Sequence, residues 1–186
     1  MTRHVGRRVA CAGALAWAWA SAAAGPAAAV AVPCRLVVGG GTVASPGFPV
    51  DTNDWNRLNF SFYDAVNDAF AADAKPVETL FFVAASGDDG ARNADAVLRK
   101  ALDRGCDEVV RTSVFGDGSA DPAELVFRLS MAPVSAAYGG SLGAPTWMHE
   151  YRYPASDGAL ARVSPNRVGE RAVRDALAPH PAADKP

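Results

Sequence analysis

Leu102-Asp103-Arg104-Gly105-Cys106-Asp107-Glu108-Val109-Val110-Arg111-Thr112-Ser113-Val114 changes periodicity across a single glycine. Upstream of it, Ala91, Ala94, Leu98, Ala101 and Leu102 recur at helical spacing and make one apolar stripe. Downstream, residues 108–115 read as a strand. Gly105 suits the left-handed residue that closes a helix, because it has no Cβ to clash. A helix followed at once by a strand is half of a crossover unit, so the chain reads as α/β.

The neighbouring segments continue the alternation. Towards the N-terminus, residues 79–84 form a continuous apolar run, the pattern of a strand covered on both faces. Before it, Trp55, Leu58, Phe62, Val66 and Ala69 predict an amphipathic helix ending near Lys75-Pro76. Residues 35–38 form a short strand, ended by Gly39, Gly40 and Gly41. Towards the C-terminus, Leu125, Phe127, Leu129 and Met131 alternate with Val126, Arg128 and Ser130, which predicts a half-buried strand. Residues 135–145 read as an exposed loop. Trp147, His149, Tyr151 and Tyr153 alternate with Met148, Glu150 and Arg152 as a further strand. Ser164 then caps a last helix, with Pro165 at its first position. The predicted order is β-α-β-α-β-β-β-α: an α/β (α+β) fold with a mixed four- to five-stranded sheet and helices on one face.

The chain has 186 residues, 49% of them hydrophobic and 20% charged, which supports one packed domain and argues against a disordered or collagen-like chain. A formal charge of −2 offers no general basic surface for nucleic acid. The N-terminus stands apart. Arg3, His4, Arg7 and Arg8 precede an apolar run and then several small-residue A-x-A sites, the order of a bacterial secretory signal peptide. Residues 1–31 are therefore read as a cleaved signal, which leaves no stable membrane anchor. Residues 32–178 are read as a single α/β domain and 179–186 as a disordered tail. From residue 32 onward fifteen basic residues face twenty acidic ones, a net charge of −5. The expected location is periplasmic or secreted. Cys11 leaves with the signal, and Cys34 and Cys106 remain as a pair in an oxidising space. Each sits just before a predicted strand, and in parallel neighbouring strands those starts would lie side by side. A Cys34–Cys106 disulfide is the expectation.

The order of elements, and the passage from Asn93 to Met131 in particular, resembles the small α/β domain at the N-terminus of the periplasmic protein TolB. It is similar also to domains of CsgG-type secretion lipoproteins and LpoB-type activators of peptidoglycan synthases. The shared pattern is a helix, a glycine and small residue, then a strand like Asp107-Glu108-Val109-Val110-Arg111-Thr112-Ser113-Val114. Thr112 stands where that pattern has glycine, Cys106 where it has alanine, and the loop at 135–145 is long. The resemblance implies a non-catalytic domain that binds partner proteins in the cell envelope.

Motifs that carry chemistry are few. Gly39-Gly40-Gly41-Thr42-Val43-Ala44 fits a dinucleotide fingerprint in spacing, but Pro46 and Pro49 follow where a helix must begin. Asp117, Ser119 and Asp121 have calcium-loop spacing, but Pro122 and Arg128 occupy positions that need glycine and glutamate. No cofactor and no metal site is expected. His149 is the one histidine outside the signal and tail, and without a nucleophile elbow it reads as packed within the aromatic face. Trp147, Tyr151 and Tyr153 on that face, with Tyr138 in the loop before it, are core if helices cover them and binding anchors if the face is open. The alternating Met148, Glu150 and Arg152 favour core. Phe48 and Trp55, around the loop at 48–55, form a second possible binding surface. The leading reading is an exported, non-catalytic domain binding an envelope protein or glycan. The alternatives are a small periplasmic hydrolase using carboxylates and a small-ligand binder.

Overall fold

The computed structural model describes residues 32–40, 48, 52–82, 90–155 and 162–179. The segment read as a signal, the glycine run from 41 onward, residues 83–89 and residues 180–186 lie outside the described residues.

The chain is α/β, with a mixed sheet of six strands and three helices. Strand β1 (Cys34–Gly40) leads to helix α1 (Thr52–Ala71), β2 (Val77–Phe82) and α2 (Gly90–Arg104). The long strands β3 (Cys106–Asp117) and β4 (Glu124–Ser135) follow, then β5 (Ser141–Leu142), β6 (Trp147–Pro154) and α3 (Pro165–Leu177). The sheet runs β2-β1-β3-β4, with β5 and β6 both paired to β4. β1 is parallel to β2 and β3, and the remaining pairs are antiparallel. The loop expected at 135–145 is partly a strand, since β5 pairs with the end of β4. Gly105 has φ +70° and opens the turn into β3, as its lack of a Cβ predicts. The Ser164 side chain accepts from the Arg167 N–H, with Pro165 in the first turn of α3.

The helices lie on both faces of the sheet rather than on one. From β1 the chain steps to one side through α1 to β2, then back past β1 through α2 to β3. Two right-handed crossovers in opposite directions must place their helices on opposite faces. On one face, Trp55, Phe62, Val66 and Phe70 of α1, with Val168 and Val173 of α3, bury Val37, Val110, Val114, Phe127 and Leu129. On the other, Val97 and Ala101 of α2 cover Leu36, Val38 and Val109. α1 and α3 meet at Gly169, where a Cβ would come 2.8 Å from the Ala65 Cβ. Only a glycine permits that approach.

Cys34 and Cys106 face each other in the parallel register of β1 and β3 and are joined by a disulfide, Cα–Cα 4.2 Å. Beside it, the buried Arg35 donates to Glu108 at 2.7 Å and Asp73 at 3.3 Å and lies 4.1 Å above the Phe70 ring. A buried guanidinium needs such partners, because their absence would leave its desolvation uncompensated. No described helix is long and apolar enough to cross a membrane.

Candidate functional site

β3 and β4 send alternate side chains to the two faces of the sheet. The face away from α1 and α3 carries Arg111 and Ser113 on β3, and Arg128 and Ser130 on β4. Pairing sets Arg111 opposite Ser130 and Ser113 opposite Arg128. α2 packs over β1 and the start of β3 and stops short of these four, so they remain a polar floor. Asn93 and Val97 of α2 form one wall, Leu142 and Pro145 the other, and together they enclose a groove of about 500 Å³.

The charges on this face are unequally committed. Arg128 donates through Nε to Glu150 at 2.8 Å and lies 4.5 Å from the Phe115 ring centre. Arg152 bridges three carboxylates, Asp117 and Glu124 at 2.9 Å and Glu150 at 2.6 Å. Burial pushes the Glu150 carboxyl up, but hydrogen bonds and charges from Arg128 and Arg152 outweigh it, and the net shift is downward. The Asp117 carboxyl lies at about 2, because the Ser119 hydroxyl and then Arg152 donate to it. Arg111 makes no ion pair among the described residues, so its charge remains available to the groove.

One test follows directly. Arg152→Met is expected to raise the Asp117 carboxyl from about 2 toward its ordinary 3.8, with Ser119 retaining part of the lowering. Because the folded value is depressed, Asp117 adds stability above pH 4 and loses that contribution as pH falls through 2. Carbon-detected NMR titration of the side-chain carboxyl reads the change. An identical titration in the variant would contradict the bridge.

The residues singled out from the sequence are dispersed. Trp55 is 1% exposed and lies under the Phe48 ring, 5.7 Å between centroids, so it belongs to the core. Tyr151 is also buried, and its hydroxyl donates to Asp175 at 2.6 Å. Trp147 and Tyr153 are half-buried against the same core, and Tyr153 meets Phe127 edge-on. Tyr138 is fully exposed, with a φ of 54°, in the turn that follows β4. These residues do not converge on one surface. His149 shares the aromatic face, between the Trp147 ring at 6.1 Å and the Tyr151 ring at 4.7 Å, yet it is exposed rather than packed. β6 is an edge strand, and α3 lies toward its Tyr151 end, leaving His149 uncovered. Met148, on the other side of β6, is 57% exposed and reaches the groove.

Two polar residues with structural roles gave no motif in the sequence. β1 pairs with β3 only as far as Val38↔Arg111, leaving the next inward N–H of β3 without a strand partner. The buried Asn59 of α1 accepts from the Val114 N–H at 3.1 Å and fills that gap. Thr112, buried in the same strand, donates its hydroxyl to the Val38 carbonyl at 3.2 Å. A polar residue within an apolar helical stripe is the signal that marks Asn59. Among the described residues, no three His, Cys, Asp or Glu side chains are grouped to hold a metal ion.

No described protein family and no curated protein matches the chain. Solved structures do. The chain is similar to a dodecamer of a PelC point variant from Paraburkholderia phytofirmans, at 12% identity and TM-score 0.37, over 80% of this chain and 88% of that one. It is similar to the hypothetical protein CT253 from Chlamydia trachomatis at 10% identity and TM-score 0.41, over 78% and 94%. A candidate lipoprotein from Caulobacter crescentus CB15 matches at 17% identity and TM-score 0.27, over 74% and 83%.

Proposed function

We propose that the protein is an exported, non-catalytic domain that holds a cell-envelope partner, a protein segment or a glycan, in the groove over β3 and β4. One observation carries the reading. Arg111, Ser113 and Ser130, with Arg128 held beside them by Glu150, form a floor of polar donor groups between two apolar-edged walls, the chemistry of recognition of a polar, anionic or hydroxyl-rich group. Acid–base catalysis needs a group that exchanges protons near neutral pH. The carboxylate adjoining this floor, Glu150, is instead held ionised by Arg128 and Arg152. The Cys34–Cys106 disulfide supports an oxidising compartment. The resemblance of residues 93–131 to TolB-type domains points to the same class of binding role.

A volume of about 500 Å³ also suits a small ligand, which is the second reading. Photo-crosslinking in intact cells separates the readings. With a photoreactive residue at Met148 on the groove, a discrete macromolecular adduct is expected, and Arg111→Glu should abolish it without lowering the melting temperature. An adduct equally strong from Arg57, on the exposed side of α1, would sink the proposal. Absence of any macromolecular adduct, with a small molecule retained by the purified protein, would establish the second reading.

A further inference from the structure

Across the sheet from the groove, where Tyr153 of β6 meets the start of α3, Arg162, Arg167 and Arg171 line one cavity of about 410 Å³. We propose that this cavity binds a phosphate group. In residues 32–186, whose net charge is −5, positions 162–174 hold four of the fifteen basic residues. No Asp or Glu among the described residues lines the cavity. Three guanidinium groups gathered with no lining carboxylate among the described residues repel one another, Arg171 alone having an acidic neighbour in Asp175, and an anion placed among them relieves that repulsion.

The arginines come from two segments. Arg167 and Arg171 are one turn apart on a single face of α3, and Arg162 reaches in from the chain just before the helix. Arg162 and Arg167 make no ion pair among the described residues. Arg171 comes no closer to Asp175 than 3.6 Å, through Nε, and its guanidinium lies 5.4 Å from the Tyr151 ring centre, so its terminal nitrogens hydrogen-bond no carboxylate of Asp175 and can serve another acceptor. The Asp175 oxygen concerned already accepts from the Tyr151 hydroxyl at 2.6 Å. The Ser164 side chain already accepts from the Arg167 N–H, so the proposed site is built from side chains and not from the helix terminus.

Ligand geometry follows from the donors. One guanidinium fork satisfies a planar carboxylate, whereas three forks from two segments match the several oxygens of a tetrahedral phosphate. Val163 and the Tyr153 ring give the cavity an apolar side for whatever carries the phosphate. A soluble phosphate ester and a lipid headgroup share this chemistry.

The test titrates the full exported protein with inorganic phosphate at constant ionic strength, followed by amide NMR. Saturable shifts confined to residues 162–171 are expected. They should require roughly tenfold more phosphate in an Arg167→Gln/Arg171→Gln variant of unchanged melting temperature. Arg162→Gln, which lies outside the helix, serves if the double variant fails to fold. Sedimentation with phosphatidylglycerol vesicles, against phosphatidylcholine vesicles, assigns the source. Retention lost in the variant identifies a headgroup, and phosphate shifts without retention identify a soluble ester; both uphold the site. Shifts that do not saturate, that spread over the whole protein, or that persist equally in the variants would overturn it.

Discussion

Trp55→Ala is expected to lower the free energy of unfolding by about 3–5 kcal/mol, the range for emptying a buried aromatic site. The side chain is 1% exposed and closes the end of the core formed by α1, α3 and one face of the sheet, with the Phe48 ring against it. For a domain of this size, the melting temperature should fall by roughly 10 °C. Trp55→Phe separates packing from polarity. The indole N–H is buried with no hydrogen-bond partner among the described residues, so phenylalanine removes an unsatisfied donor while keeping most of the ring volume. Its cost should therefore be about 1 kcal/mol or less. Thermal denaturation of the two variants checks both values. An alanine variant with an unchanged melting temperature and lost partner binding would restore Trp55 to the binding surface expected from the sequence.

Removing the disulfide should have an effect of similar size. Cys34 and Cys106 are 72 positions apart, and opening a loop of that length frees the unfolded chain by about 4 kcal/mol in the chain-entropy account. The bridge also joins the starts of two central parallel strands, where loop closure must precede any ladder hydrogen bond. A Cys34→Ser/Cys106→Ser variant, which leaves no unpaired thiol in the described domain, should unfold at a much lower urea concentration with the fold otherwise retained. The same destabilisation is expected when reductant is added to the unaltered protein. A change below about 1 kcal/mol would show that strand packing alone holds β1 against β3.

Local patterns made the elements legible. The stripe of α2, Gly105, and the pair Ser164-Pro165 each state a local conformational preference, and each is realised within a residue or two. The alternation in residues 125–131 identified the inward set of β4 for the same reason, since a strand's period of two assigns its faces without knowledge of the neighbours. The aromatic stripe of β6 was harder, because alternation says which side chains share a face and not how far a helix extends over it. Tyr151 is covered by α3 and His149 is not, although they differ by one pleat.

The groove was less legible still. Arg111, Ser113, Arg128 and Ser130 are ordinary polar positions of half-buried strands, and no spacing joins residues 111–113 to 128–130. Their union depends on antiparallel register, and their exposure on where α2 stops. Likewise the cavity lined by Arg162, Arg167 and Arg171 exists because α3 packs against α1 through Gly169 and brings its first turns beside β6. The sequence by itself determined the α/β class, the order of the long elements and the position of each cysteine at a strand start, because these follow from local periodicity and chain order. The facing of the two cysteines depends instead on β1 lying beside β3. Only the tertiary structure decided that the helices divide between the two faces, which aromatic residues are buried and which cations share a cavity. Those outcomes depend on crossover handedness and on how much of the sheet each helix covers, and neither is a property of any single segment.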